Sequence, residues 1–337
     1  MSATKPNIHD VASLAGVSKS LVSLALSGSP RVREESRTRI FQAAETLGYR
    51  KNAAARTLVA KRSKTIGVLI LDLHNPVFAE ILDGIQVEMR KNEFTTMLVS
   101  GGEDPVLEQS DIDTLLQFQI DGLILISHRL SPERLALIAK EVPTVVVTRS
   151  DIQIPHMDTV SNDDVAGTGL AVDYLVKLGH SKIVCLSGGD NPTSKARVQG
   201  YLQAMARNAL DGSTKVVEGG LTDAAGFSAA KEALKFDPTA LVVANDLAAM
   251  GAIAAIQEAG LQVPEDVSII GYDGISLGGL KNVELTTISQ PLSQLGSLAA
   301  TRLVERIENP RDPATQIRVS AELLVRGTVS HPKGRNV

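Results

Sequence analysis

The 337-residue chain has no tryptophan, one cysteine (Cys185) and only 3% aromatic residues. A lone thiol cannot build a disulfide framework or a Cys-rich zinc site, and it fits a reducing compartment. No run approaches the roughly 18 consecutive apolar residues that a membrane span needs. The N-terminus carries Lys5, His9 and Asp10 and no apolar stretch of the kind that opens a secretion signal. The expectation is a cytoplasmic protein with no membrane partner. A surplus of one charge is also missing, since 34 Lys and Arg against 38 Asp and Glu leave −4. What remains is an ordinary globular composition, 43% hydrophobic and 21% charged. At roughly 100–200 residues per domain, it is long enough for about two or three folded units.

The small net charge conceals a division. Residues 1–64 hold 12 basic and four acidic side chains, or +8, whereas 65–337 hold 22 and 34, or −12. A basic first fifth on an acidic remainder points to a polyanion-binding head on a separate module. A chance skew of surface charge is the alternative.

Within the head, Ile8, Val11, Ala12 and Ala15 recur at helical spacing, with Asn7 placed to cap the first turn and Gly16 to end it. Ser18 is placed to cap a second helix whose inward candidates are Leu21, Val22, Ala25 and Leu26. After Gly28-Ser29-Pro30, a third helix is expected from about Arg33 to Leu47, with Ile40, Phe41, Ala44 and Leu47 inward and Gly48 as the stop. Two short helices joined by a glycine turn and braced by a third make a helix-turn-helix. A plain three-helix bundle has the same pattern without needing the surplus of Lys and Arg.

Asp10-Val11-Ala12, Ala15-Gly16-Val17-Ser18 and Val22-Ser23, continued by Leu47-Gly48-Tyr49, Asn52, Ala55-Arg56 and Leu58, resemble the lactose-repressor/galactose-repressor (LacI/GalR) family of bacterial transcription regulators. The likeness runs to about residue 329. It implies that the second helix enters the major groove of an operator, with Lys19 and Ser20 reading base edges. Asn7, Ser18, Ser27, Arg31, Ser36 and Tyr49 stand where the family contacts phosphates, which sets register without reading sequence. Ser23 and Leu24 complete the set on that helix. Leu24 stands where relatives usually carry Arg, and Leu21 replaces the usual Thr. Leu24 is either an extra core residue or a contact to a thymine methyl.

Residues 52–60 are good helix formers, but too few for a stable isolated helix, which needs roughly 12–15 residues. By resemblance they form a hinge helix that pairs with a second subunit's copy, with Asn52 and Ala55 at the DNA and Leu58 wedged into the minor groove. A basic interdomain linker is the competing reading. Lys51 replaces a common Pro, which would let the hinge fray.

Beyond Lys64, apolar runs alternate with helical segments. Strands are expected at Thr65–Leu71, Thr95–Ser100, Gly122–Ser127 and Thr144–Val147, then at Lys182–Ser187, Lys215–Gly219, Leu241–Ala244 and Val267–Tyr272. Helices are expected at Ala79–Lys91, Gly167–Leu178, Arg197–Ala209, Gly226–Lys235, Leu247–Glu258 and Pro291–Ile307. This implies parallel sheets in three-layer α/β units that repeat after about residue 160. The fold class is an α/β body of two similar Rossmann-like lobes, like that of periplasmic binding proteins, behind an all-α helix-turn-helix head. The expected divisions are a head over 1–50, a hinge over 51–63, a body over 64–329 and a tail over 330–337. Lobe 1 takes about 64–160 and 290–318, and lobe 2 about 161–289 and 319–329.

Neither a Gly-x-Gly-x-x-Gly after the first strand nor a phosphate loop is present, the six His lack metal spacing, and no nucleophile–base pair can be argued. No catalytic residue, cofactor or metal is expected. Ligands of such sheets bind beyond the carboxyl ends of the strands. There the chain places Asp72, Asn75 and Phe78, then Thr148, and in the second lobe Arg197, Asn245 and Asp273. The resemblance implies effector recognition by Arg197, Asn245 and Asp273, with structural ion pairs as the alternative. Asp246 and Asp163-Asp164 read as helix caps. Thr148 replaces an Asp common in sugar-binding relatives, and Leu221 stands where some stack an aromatic. The sequence thus reads as a regulator, most simply a repressor, acting as a homodimer on a pseudo-palindromic duplex operator under control of a small sugar-like or nucleoside-like effector. A solute-binding protein of a transport system is the rival, but it would have no use for residues 1–64. The chain stops at Val337 without leucine heptads, so no tail-mediated tetramer is expected.

Overall fold

A computed structural model describes residues 6–26, 29–49, 62–102, 104–149 and 151–333. They form two compact units, Met1–Ser63 and Lys64–Val337. In the first, α1 (Ile8–Ala15), α2 (Lys19–Leu26) and α3 (Glu34–Thr46) surround Val11, Ala12, Ala15, Val22, Ala25, Val32, Ile40, Ala43 and Ala44. The Asn7 side chain accepts from the His9 N–H at 2.8 Å while the Asp10 carboxylate accepts from the Asn7 N–H at 2.7 Å, a reciprocal capping box. Gly16 turns the chain at φ 66°, a left-handed conformation that glycine adopts without steric cost. Phe41 departs from expectation and is 49% exposed. Ile40, Ala43, Ala44 and Leu47 follow the i, i+3, i+4, i+7 stripe, and Phe41 sits one residue off it.

The second unit holds two six-stranded sheets. The first contains β1 (Thr65–Ile70), β2 (Thr95–Ser100), β3 (Gly122–Ile126), β4 (Thr144–Val147), β5 (Met157–Asn162) and β11 (Gln316–Val319), in spatial order β11-β5-β4-β3-β1-β2. The second contains β6 (Ile183–Leu186), β7 (Lys215–Val217), β8 (Ala240–Val243), β9 (Ser268–Asp273), β10 (Thr287–Ser289) and β12 (Glu322–Leu324), in order β12-β10-β9-β8-β6-β7. Five strands of each sheet follow one another in the same spatial order. The expected repeat is therefore real. All pairings are parallel except β10 with β12. The first sheet reaches Asn162, slightly past the expected lobe boundary near 160. The chain crosses between sheets after β5, again between Ser289 and Leu292, and again between Val319 and Glu322.

The helices of this unit are α4 (Pro76–Lys91), α5 (Pro105–Gln117), α6 (Pro132–Glu141), α7 (Asp164–Lys177), α8 (Pro192–Arg207), α9 (Asp223–Ala233), α10 (Asp246–Glu258) and α11 (Leu292–Glu308). Four open on a capping side chain followed by proline, at Asn75-Pro76, Asp104-Pro105, Ser131-Pro132 and Asn191-Pro192. The cap satisfies a free N–H, and proline at the first helical position has no N–H to satisfy. In lobe 1, α4 and α11 cross so closely that a Cβ on Gly84 would lie 2.0 Å from the Ser293 carbonyl oxygen, so only glycine fits there. The lobes also touch. Ile275 of the second packs into the first lobe's core, and the Ser276 N–H donates to Glu80 at 3.4 Å. Cys185 is buried in β6, where burial pushes its thiol up to about 12, so it is inert. Among the described residues, no helix is long and apolar enough to cross a membrane.

Candidate functional site

Two places carry functional side chains. On α2, Val22 and Ala25 face the core, and Lys19, Ser20, Ser23 and Leu24 lie together on the opposite, exposed face. Leu24 is 40% exposed, so of its two expected roles the core one does not apply. Asn7, Ser18 and Arg31 are exposed, Ser36 is half-buried, and Tyr49 packs partly against the head core. The Ser18 hydroxyl accepts from the Leu21 N–H at 3.2 Å, which caps α2 as expected. Ser27, Asn52, Ala55 and Leu58 lie outside the described residues.

The second place is a cavity between the lobes, with about 70 Å³ open to water centres. At the roughly 10–15 Å³ that one water requires, this is room for several waters or one small molecule. Asn75, Phe78 and Thr148 line it from the first lobe, and Arg197, Asn245 and Asp273 from the second. Asp72 is not among the lining residues. Its carboxylate folds back to accept from the backbone N–H and ring of His74, both at 2.9 Å, while Leu71 takes the inward position. Ser127, His128, Asn162 and Gln290 also line the cavity. None was singled out from the sequence, since each lies in a loop or at a strand end and only the tertiary fold brings them together. Three lining residues, Ser127, Thr148 and Asp273, have φ of 53°, 69° and 112°, a backbone conformation that non-glycine residues seldom adopt. Such strain concentrates at binding sites. The Ser127 and Thr148 hydroxyls are bonded to each other at 2.5 Å.

Arg197 is the electrostatic centre of the second-lobe wall. Its Nε donates to Asp164 at 2.8 Å, Nη1 donates to the Ala244 carbonyl, and Nη2 lies 3.3 Å from Asp273. The guanidinium also stacks over Tyr272, 3.7 Å from the ring centroid. Burial alone would lower its pKa, but Asp164 and Asp273 outweigh burial and raise it. Burial lifts the Asp273 carboxyl to about 6 against the pull of Arg197. Arg197 thus lines the cavity and is at the same time a member of a buried ion-pair network, so the two expected readings do not exclude each other.

The cap of α10 falls to Asn245, which also lines the cavity, and not to Asp246 as expected. Asn245 is the cap of α10, accepting from the Ala248 N–H at 2.9 Å, and its amide donates to the Leu221 carbonyl. Asp246 instead accepts from the Gly274 and Ile275 N–H groups at 2.8 and 2.9 Å and from the Thr287 hydroxyl, clamping the loop that carries Ile275 into lobe 1. Burial, reinforced by Asp273, raises its carboxyl to about 7. Between the ordinary carboxylate range and about pH 7, the folded protein holds protons that the unfolded chain has released, so this pair makes stability fall as pH rises. Asp246→Asn keeps an acceptor for the loop, and the Thr287 hydroxyl can turn to accept from the new amide. We expect the variant to gain about 1–2 kcal/mol relative to wild type between pH 5.5 and pH 8 in urea melts. Parallel profiles would refute the charged clamp.

No group of three or more His, Cys, Asp or Glu is arranged to hold a metal among the described residues. The sequence pattern of the family "Bacterial regulatory proteins, lacI family" matches residues 7–52, and that of "Periplasmic binding proteins and sugar binding domain of LacI family" matches 63–326. The chain is 33% identical over 328 residues to the transcriptional repressor PurR of Aliivibrio salmonicida, covering 96% of this chain and 98% of that one. It is 34% identical over 310 residues to the ribose operon repressor of Haemophilus influenzae, covering 90% and 93%. A solved lac repressor dimer, bound to operator and the anti-inducer ONPF, superimposes with a TM-score of 0.87 at 27% identity, over 97% of this chain and all of that one. A LacI family regulator from Enterococcus faecium with bound ribose gives 0.73 at 29%, over 80% and 100%. These relatives are regulators and not enzymes, and a head matched separately from the body disfavours the transport reading. Matched in both head and body, the chain belongs to the LacI family of bacterial regulatory proteins, as a repressor with an effector-binding module.

Proposed function

We propose that this repressor binds a pseudo-palindromic duplex operator as a homodimer, and that a small uncharged metabolite in the interlobe cavity sets its DNA affinity. One observation carries the reading. The cavity is walled by both lobes, so a ligand filling it binds one lobe arrangement better than another and must shift their populations. Lys19 and Ser20 read bases from the exposed face of α2, Leu24 offers a methyl contact, and Ser23 flanks them. Asn7, Ser18, Ser27, Arg31, Ser36 and Tyr49 hold phosphates. Asn52, Ala55 and Leu58 complete the interface in the minor groove. Asn75, Phe78, Thr148, Arg197, Asn245 and Asp273 hold the effector. The charge division supports the same assignment, with +8 for the phosphate backbone and an acidic body that keeps away from it.

The test uses the full chain and a palindrome selected by the protein from random duplexes. Affinity should fall about 10³–10⁵-fold between 50 and 200 mM salt if 6–10 phosphates are engaged. Lys19→Ala should cost about 10–100-fold on the selected sequence and much less on unrelated DNA. Salt-independent binding, or an unchanged ratio of specific to nonspecific affinity, would overturn the assignment.

A further inference from the structure

Four buried polar atoms on the cavity-lining residues have no hydrogen-bond partner: Nδ1 and Nε2 of His128, Oδ1 of Asn162 and Oε1 of Gln290. Their residues are only 2%, 1% and 7% exposed. Buried polar groups are normally satisfied, so three neighbouring wall residues with orphaned atoms call for a partner, which a ligand that spreads the closed cavity can supply. The identity of the two amide oxygens is secure. The nitrogen of Asn162 donates to Asp164 at 3.2 Å and to the Tyr272 hydroxyl at 2.8 Å, and that of Gln290 donates to Asp273 at 2.6 Å. A carboxylate only accepts, so in each case the oxygen is the atom left over.

His128 is the least explained of the three. The backbone around it is fixed on both sides: Arg149 donates to its carbonyl at 3.3 Å, and Glu108 accepts from the following N–H at 2.8 Å. Its ring has no such partner. Burial, with Arg149 nearby, lowers its pKa to about 3, so the ring is neutral and offers one N–H and one lone pair. Three cations line the same space: Arg197 is matched by Asp164 and Asp273, Arg149 by Asp151 at 2.6 Å, and Arg129 lies within electrostatic reach of Asp190. A charged ligand would find no free counter-charge. A ligand with several hydroxyls would find two waiting acceptors and a ring that accepts and donates.

We propose that His128 is a specificity-determining residue, whose neutral ring reads a hydroxyl of an uncharged polyhydroxyl effector while other hydroxyls satisfy Asn162 and Gln290. This rests on the reading of the cavity as the effector site. It makes a distinctive demand on His128, which should contribute to binding and contribute nothing to the stability of the empty protein.

The test is calorimetric titration of the full chain with D-ribose, D-glucose and D-galactose, alongside ribose 5-phosphate, gluconate and hypoxanthine. At least one neutral sugar should bind, at least tenfold more tightly than any of the last three probes. His128→Leu should weaken that sugar at least tenfold while the melting temperature of the ligand-free protein stays level or rises. His128→Asn, which keeps a donor and an acceptor, should fall between. Binding of only a charged probe or the base, binding of none, or an affinity unchanged by His128→Leu would each overturn the proposal. So would a ligand-free melting temperature lowered by several degrees in both variants, which would make His128 a structural prop. The salt dependence of duplex binding comes from phosphate contacts of the head and is read without added ligand, so a steep dependence there alongside failure here rejects this assignment alone.

Discussion

Replacing Arg306 with methionine is expected to cost the body about 3–5 kcal/mol and on the order of 10 °C in melting temperature, without changing effector affinity. Arg306 is only 2% exposed, and it holds Asp158, which is fully buried, through Nε at 3.0 Å and Nη2 at 2.8 Å. It also donates to the carbonyls of Asp312 and Pro313, and the Thr315 N–H donates to Asp158 at 2.7 Å. One ion pair thus ties α11, β5 and the return segment into β11. Methionine fills the volume but leaves a buried carboxylate without its main counter-charge. Arg302, 3.4 Å away, compensates only in part. In the double variant Asp158→Asn/Arg306→Met, the buried charge is removed and the amide oxygen can keep the Thr315 N–H. That variant should therefore be more stable than Arg306→Met alone. Neither residue lines the interlobe cavity, so sugar titrations should be unchanged. A single-variant loss below about 1 kcal/mol would show that the pair contributes little.

The same pair explains where the sequence was hard to read. Met157–Asn162 contains Asp158, Thr159, Ser161 and Asn162, and it does not look like a strand, yet every residue of β5 is buried. Asp158 is sheltered by partners 148 and 157 residues away and Asn162 by Tyr272, 110 residues away, which no local pattern reveals. The three-residue strands β10 and β12 are too short to show a period. The strands with unbroken apolar runs, Thr65–Ile70 and Gly122–Ile126 among them, were legible because a parallel sheet covered on both faces needs nothing else. Helix starts were legible too, but through a different signal. Apolar periodicity places α4 and α8 late, at Ala79 and Arg197; the first turn of α8, Pro192-Thr193-Ser194-Lys195, has no apolar stripe to show. The cap–proline pairs Asn75-Pro76 and Asn191-Pro192 mark the true starts.

In the site, Arg197 and Asp273 were visible and both line the cavity; Asp273 ends β9 as expected, whereas Arg197 lies inside α8 and not at its start. The Asn245-Asp246 pair was visible, but its division of labour was not. Either residue can cap a helix, and only the position of the Gly274–Ile275 loop decides which one does. His128 carried no local signal at all. Its significance lies in an absence of partners, which is a property of three dimensions.

Arg197→Ala applies the physics of the buried ion pair inside the cavity, and here stability and function should fail together. Removing the guanidinium leaves Asp164 and Asp273 buried side by side, 4% exposed each, and Tyr272 without its stacked cation. The cost should again be about 3–5 kcal/mol at neutral pH. Unlike the Arg306 case, it should depend on pH in a known direction. Asp273 titrates at about 6 even with Arg197 pulling it down, so without that cation its folded pKa must rise further. A carboxyl whose folded pKa lies above the unfolded value destabilises more as pH rises through that window. The deficit of Arg197→Ala should therefore be smaller at pH 5.5 than at pH 8 in paired urea melts. Effector binding should be lost at both, because protonating Asp273 restores neutrality but not the guanidinium's donors. Operator binding without effector should survive in the folded fraction, since α2 belongs to the other unit. An effector response that persists in this variant would remove Arg197 from the site. A pH-independent deficit would mean that the two carboxylates find another counter-charge when Arg197 is gone.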